Sequence, residues 1–151
     1  MVCCFFGHKD IPSGLTEHLL PVLTGLIAEG VDSFLVGNQG GFDSVVLHML
    51  RLLKGKHPHI TYNVVLAYMP GNKEEWSAYE PMETLYPEGL ESVHPRYAIS
   101  WRNKWMIQES DVVVAYITRS WGGAAQFVEL AERKKKRVIN IASMINPKTE
   151  K

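Results

Sequence analysis

One unit constrains this chain more than any other, and it occurs twice: an apolar, β-branched run, a diglycine corner, then an amphipathic helical pattern. The first copy is Phe34-Leu-Val-Gly-Asn-Gln-Gly-Gly-Phe-Asp43; the second runs from Asp111–Ile117 into Ser120-Trp-Gly-Gly-Ala-Ala-Gln-Phe-Val-Glu129. A strand, a turn and a helix in that order make a crossover, so successive strands are expected to be parallel, with helices on both sheet faces. The glycines let backbone come close to whatever lies beyond the strand end. The first helical amides, at the positive end of the helix dipole, then point at it, and that setting suits an anion.

The rest of the chain continues the alternation. Val2–Phe6 reads as a buried first strand that ends in the turn Gly7-His8-Lys9. Ser13 is the expected N-cap of a helix over Leu15–Glu29. Leu15, Leu19, Leu23, Leu26 and Ile27 share one face of it, and Gly30 stops it. Pro21 should kink this helix or delay its start. Ser33–Val36 is the second strand, Phe42–Lys54 the second long helix and Ile60–Ala67 the third strand. From Tyr68 to Tyr97 no period is sustained, because prolines and glycines interrupt it while Trp76, Tyr79 and Tyr86 are scattered through it. A stretch this long is expected to serve as a lid or ligand loop. A helix over Ala98–Gln108, the strand Asp111–Ile117, a helix over Gly123–Lys135 and a strand Val138–Ile141 follow, and Asn146–Lys151 reads as a frayed tail. The expected fold is one α/β domain over residues 1–151: Rossmann-like, doubly wound, with a mainly parallel sheet of five or more strands. Right-handed crossovers place its strand-following loops on one edge.

With 151 residues, 46% of them hydrophobic, the chain is long enough for one core. The formal net charge is zero, which argues against a broad nucleic-acid or membrane footprint. The one dense basic run, Arg133-Lys-Lys-Lys-Arg137, falls where a helix should end and reads as a solvated helix terminus more readily than as a phosphate patch. Cys3 and Cys4 are adjacent and alone, so neither a disulfide framework nor a cysteine metal spacing is expected. The N-terminal run is too short for a secretory leader and no stretch approaches a membrane span, so a reduced, cytoplasmic protein is expected.

Three post-strand turns should meet on the loop edge: Gly7-His8-Lys9, Gly37–Asp43 and Trp121–Gly123. Glycine is also common in any tight turn, so no single turn makes a site; their shared edge does. Neither diglycine turn is a P-loop or a dinucleotide fingerprint. Arg102, in Trp101-Arg-Asn-Lys-Trp-Met106, suits bidentate contact with a phosphate or carboxylate, the plainer alternative being a surface cation beside aromatics. Trp76, Trp101 and Trp105 are candidates for stacking on a base or for ordinary packing. His8 is either a proton carrier or a simple hydrogen-bonding turn residue. A helical wheel turns Glu129 and Gln126 towards solvent and Ala124, Phe127, Val128 and Ala131 towards the core. The histidines show no metal-ligand spacing and no GxSxG motif is present, so neither a metal site nor a serine nucleophile is expected.

Taken in order, Cys4-Phe-Phe-Gly-His-Lys9, Gly37–Asp43, Arg96–Asp111 and Gly122-Gly-Ala-Ala125 with its following helix resemble the SLOG superfamily. This Rossmann-like group includes the DprA/Smf proteins and the LOG-type proteins; the nearest likeness is to its small bacterial DUF1273/YpsA-like members. The resemblance spans about Val2 to Ile141. The LOG branch carries Pro-Gly-Gly-x-Gly-Thr-x-x-Glu, which Gly122, Gly123 and Glu129 match, and Arg-Lys-x-x-Met, which Arg102 and Met106 match. Trp121, Ala125, Gln126 and Asn103 replace the other positions. The resemblance implies a protein that binds a nucleotide or nucleotide-derived phosphorylated ligand as a sensor or binding module. The ligand-binding residues would be Gly7, His8, Lys9, Gly37, Gly40, Gly41, Asp43, Arg102, Asn103, Gly122, Gly123 and Ala124. The alternative it implies is a phosphoribohydrolase that cleaves the N-glycosidic bond of a nucleoside monophosphate, with Glu129 and Arg102 as catalytic residues. A DNA-handling role, suggested by the DprA side, lacks a basic stripe. No cofactor, membrane or nucleic-acid partner is expected, and exposed apolar faces would suit a homodimer.

Overall fold

A computed structural model describes residues 1–145 and shows a Rossmann-like α/β fold. Its six strands are β1 (Val2–Gly7), β2 (Ser33–Val36), β3 (Thr61–Val65), β4 (Thr84–Leu85), β5 (Val112–Tyr116) and β6 (Arg137–Asn140). They pair in the order β4-β3-β2-β1-β5-β6, and every pairing is parallel. The helices, in chain order, are α1 (Leu15–Glu29), α2 (Gly41–Lys56), the single turn α3 (Lys73–Trp76), α4 (Ala98–Glu109), α5 (Gly123–Arg133) and the short α6 (Ala142–Ile145).

The strands read as continuous apolar runs because both faces are covered. Alternate residues of β1 serve opposite cores. Cys3 and Phe5 pack with Leu19 and Leu23 of α1 and Val46 and Leu50 of α2. Cys4 and Phe6 face Met106 and Ile107 of α4 and Val128 and Ala131 of α5. Each large side chain buried this way contributes about 1.5–3 kcal/mol. Burial also raises both thiols, Cys4 to about 12, so neither is a ready nucleophile.

Several local expectations are corrected. Gly14, at φ 85°, and not Ser13, occupies the N-cap of α1, and no side chain caps it. Pro21 lies inside one continuous helix, because tertiary burial of Leu15, Leu19 and Leu23 outweighs the single lost hydrogen bond. Strand β3 is shorter than the Ile60–Ala67 run, and α5 stops at Arg133. The Tyr68–Tyr97 stretch is not featureless: it contains α3, β4 and two 3-10 turns. An ion pair between the half-buried Arg51 and the buried Glu83 ties it down. Glu83 accepts from Nε of Arg51 at 2.8 Å and from the Tyr62 hydroxyl at 2.6 Å, and it also takes the Glu80 amide. The expected tail Asn146–Lys151 lies outside the described residues.

Candidate functional site

Strand β1 sits between β2 and β5, and the chain reaches β5 only after building the β2–β4 side of the sheet. The helices that follow β1 and β5 therefore pack on opposite faces, α1 on one and α5 on the other. Loops that part in this way leave a crevice at the carboxyl ends of the strands. A cleft of about 470 Å³ lies there. Gly7, His8 and Lys9 enter from the end of β1, Gln39 and Asp43 from the corner before α2, and Arg102 and Asn103 from α4. Arg119, Gly123 and Ala124 close it from the β5–α5 side. One wall is apolar: Ile99, Met106 and the stacked rings of Phe6 and Phe127, whose centroids are 5.8 Å apart.

The two diglycine corners do different things. At α5, Gly122 has φ 99°, and a side chain there would meet only open space. The first helical bond is from the Gln126 amide to the Gly122 carbonyl at 3.1 Å. The amides of Gly123, Ala124 and Ala125 thus have no helical acceptor and stand at the positive end of the dipole. Arg119 lies beside them, its guanidinium 4.3 Å from the Trp121 ring centroid.

The corner before α2 is spent on packing, which corrects the expectation that it offers amides to a phosphate. The Gly41 amide donates to the Lys9 carbonyl at 3.0 Å. A β-carbon on Gly40 would come within 2.8 Å of Lys9 Cγ and 3.0 Å of its Cα, and one on Gly41 would strike the Lys9 carbonyl oxygen. These glycines exist so that α2 can start directly beneath the β1–α1 loop. Gly7 has a similar cause, since a side chain there would collide with the Phe42 ring. The start of α2 also already holds an acid: Asp43 accepts from the Gln39 amide at 2.9 Å.

Arg102 is the decisive side chain. Sequence pattern allowed a surface cation, yet it is 1% exposed, the largest fully buried side chain in the molecule. Its Nη1 donates to the Val65 carbonyl at 2.8 Å and to Asn38 at 3.4 Å, and its Nε donates to Asn103 at 2.7 Å. No carboxylate closes a salt bridge on it among the described residues. Burial pulls its pKa down, and the nearby Asp43 partly opposes this. Asp43 is 9% exposed, and burial lifts its carboxyl to about 6 against the pull of the Gln39 amide and Arg102. His8 is also buried. Its Nε2 accepts from the Thr118 amide at 3.0 Å and its own amide donates to the Tyr116 carbonyl at 3.2 Å, so it clips the β1 and β5 loops together. Desolvation, with Arg119 nearby, lowers its pKa and keeps it neutral.

No protein-family model and no curated protein matches the chain. Its site is therefore defined by its own geometry. Of the residues expected to bind ligand, the cleft gathers Gly7, His8, Lys9, Asp43, Arg102, Asn103, Gly123 and Ala124. Gly37, Gly40, Gly41 and Gly122 do not line it; the first three are packed against Lys9, Asp43 and Arg102, and Gly122 is exposed. Glu129 is exposed, as the wheel indicated, and faces a second cleft of about 620 Å³ on the other flank of α5, with Glu132, Asn140 and Ser143. The structure does not bring Glu129 and Arg102 together. Trp101 and Trp105 pack against hydrophobic clusters and Trp76 is exposed outside the cleft, so none of the three forms its wall. Sequence reasoning missed Gln39, Arg119 and the Phe6–Phe127 wall. Arg119 was within reach, because it lies only three residues before the second diglycine corner. Among the described residues no group of three or more His, Cys, Asp or Glu side chains is placed to hold a metal ion, and no helix is long and apolar enough to cross a membrane.

Proposed function

We propose that this chain is a binding module for a nucleotide or a nucleotide-derived phosphorylated ligand, built on a SLOG-like scaffold and acting as a sensor. The carrying observation is the convergence, in one cleft, of open α5 amides with Lys9, Arg102 and Arg119. The phosphate lies on the amides of Gly123 and Ala124 between Arg119 and Lys9. The base lies on the apolar wall of Ile99, Met106 and Phe127. Helix-terminal amides are a ready anion site, and apolar walls with a few convergent polar groups are the usual build of a small-molecule site.

The hydrolase reading asks Glu129 and Arg102 to act on one substrate, whereas the two open onto different clefts. That observation favours binding without turnover. Incubation with a panel of nucleoside monophosphates, read by thermal shift and by chromatography of products, tests this. Stabilisation without release of free base is expected, and saturation at a hundred times Kd should add about 2.7 kcal/mol. Free base that is no longer released by Glu129→Gln would show the hydrolase instead. No stabilisation by any phosphorylated ligand would sink the binding reading.

A further inference from the structure

We propose that the free edge of β6, with the cleft of about 620 Å³ on the outer flank of α5, is a docking groove for an extended peptide segment that carries basic side chains. This gives the molecule a second partner, whatever occupies the first cleft.

The backbone of β6 makes the groove a strand acceptor. The Arg137 amide donates to the Asp111 carbonyl and the Ile141 amide to the Ala115 carbonyl, so Arg137, Ile139 and Ile141 turn their backbone groups to β5. Alternate residues of a parallel strand face opposite neighbours, and Val138 and Asn140 therefore face outwards. Of their outward groups only the Asn140 carbonyl has a partner among the described residues, the Ser143 hydroxyl at 2.7 Å. The Val138 amide and carbonyl and the Asn140 amide stand open to an added strand. The opposite edge of the sheet, β4, is shortened to two residues, whereas β6 keeps four and carries no proline.

Charge selects the occupant. The cleft beside this edge is apolar along Ala125, Val128 and Val138, and α5 adds Glu129 and Glu132 to its wall. Both glutamates are exposed, and neither is in a salt bridge among the described residues. The one cation on the lining, Arg119, is stacked on Trp121. A second copy paired antiparallel about the middle of β6 would set two such acidic walls across one groove, which disfavours self-pairing. A foreign strand laid along β6 presents every second side chain to the α5 side, at intervals of roughly 6.8 Å. Glu129 and Glu132 are separated by a rise of roughly 4.5 Å along α5. Lysines or arginines at alternate positions of the strand therefore meet both carboxylates. Main-chain pairing supplies the affinity and the acidic wall supplies the selection, the general logic of strand addition.

The test is a calorimetric titration of the full chain with the peptide acetyl-Thr-Lys-Val-Lys-Val-Thr-amide and with its glutamate-for-lysine counterpart. Two further versions of the lysine peptide are N-methylated, each at one set of alternate amides. The lysine peptide should bind about ten-fold tighter than the glutamate peptide, the effect of two exposed charge pairs gained or opposed. It should also protect the Val138 and Asn140 amides from hydrogen exchange. One methylated version should bind like the parent and the other not at all, because only one edge of the added strand meets β6. Glu129→Lys combined with Glu132→Lys should reverse the preference in favour of the glutamate peptide, a gain that misfolding cannot produce. Equal binding of the lysine and glutamate peptides, equal binding of the two methylated versions, or no binding at millimolar concentration overturns the proposal. So does a dimer in sedimentation that Val138→Pro disperses, which assigns the edge to a second copy.

Discussion

Asp43 is held in the folded protein against its own ionisation. Burial lifts its carboxyl to about 6, whereas a solvated aspartate titrates near about 3.9. Between those values the folded chain binds the proton more tightly than the unfolded one, so stability falls as pH rises from about 4 to about 6 and stays lowered above that. Asp43→Asn, which cannot ionise, should be more stable than the unaltered chain at pH 8 by up to about 3 kcal/mol, and close to it at pH 4. Urea unfolding at the two pH values checks this; a gap that is the same at both would contradict it. Glu83 has the opposite sign. Hydrogen bonds from Arg51 hold its carboxyl down at about 2 despite burial, with the Tyr62 hydroxyl assisting. Its contribution is therefore complete above about 4.3 and is lost as pH falls towards 2. Its side chain is 1% exposed, while Arg51 is 32% exposed and can be partly solvated once unpaired, so Glu83→Gln should cost about 1–2 kcal/mol at pH 7. The same change should expose the 68–97 stretch to limited proteolysis, because β4 and the Ala78 carbonyl are anchored through Arg51 and Glu83.

The two glycine-started helices separate backbone strain from steric need. Gly40 and Gly122 have nearly equal φ, 97° and 99°. Both combine a positive φ with ψ near 180°, a backbone conformation essentially confined to glycine, so an alanine at either position suffers a strain of about 1–3 kcal/mol. Only at Gly40 does the added methyl also run into Lys9. Gly40→Ala should therefore destabilise by more than about 3 kcal/mol, and Gly122→Ala by about 1–3 kcal/mol, as measured by denaturant unfolding. Equal losses at both positions would show that the packing against Lys9 does not matter. His8 belongs to the same scale. Its neutral Nε2 accepts from Thr118, so acidification through about 6.5, the ordinary histidine value, and below should weaken the β1–β5 clip. The protection factor of the Thr118 amide, its exchange relative to an unstructured peptide at the same pH, should fall over that range, and in His8→Ala it should be low at every pH.

The molecule as a whole was legible wherever a local pattern decides structure. The apolar runs at Val2–Phe6 and Asp111–Ile117, and the helical faces of α1 and α2, gave the parallel sheet and its two covered faces, since a two-sided strand must be apolar throughout. Strand β4 was not legible. Two residues, Thr84 and Leu85, carry no period and become a strand only by pairing with Val64 and Val65. The three turns were legible as neighbours because a parallel sheet sends every strand exit to one edge. What each turn does was not, because the approach of Lys9 to Gly40 and Gly41 joins segments about thirty residues apart. The burial of Arg102 escaped for a related reason: its acceptors lie on β3 and the loop after β2, and nothing in Trp101-Arg-Asn-Lys announces that the second residue turns inwards. Strand β4 has one more consequence. As the outermost member of its flank it offers an approaching chain only two residues of free hydrogen-bonding backbone, too little to template a foreign strand, so that side of the molecule is guarded against fibril growth.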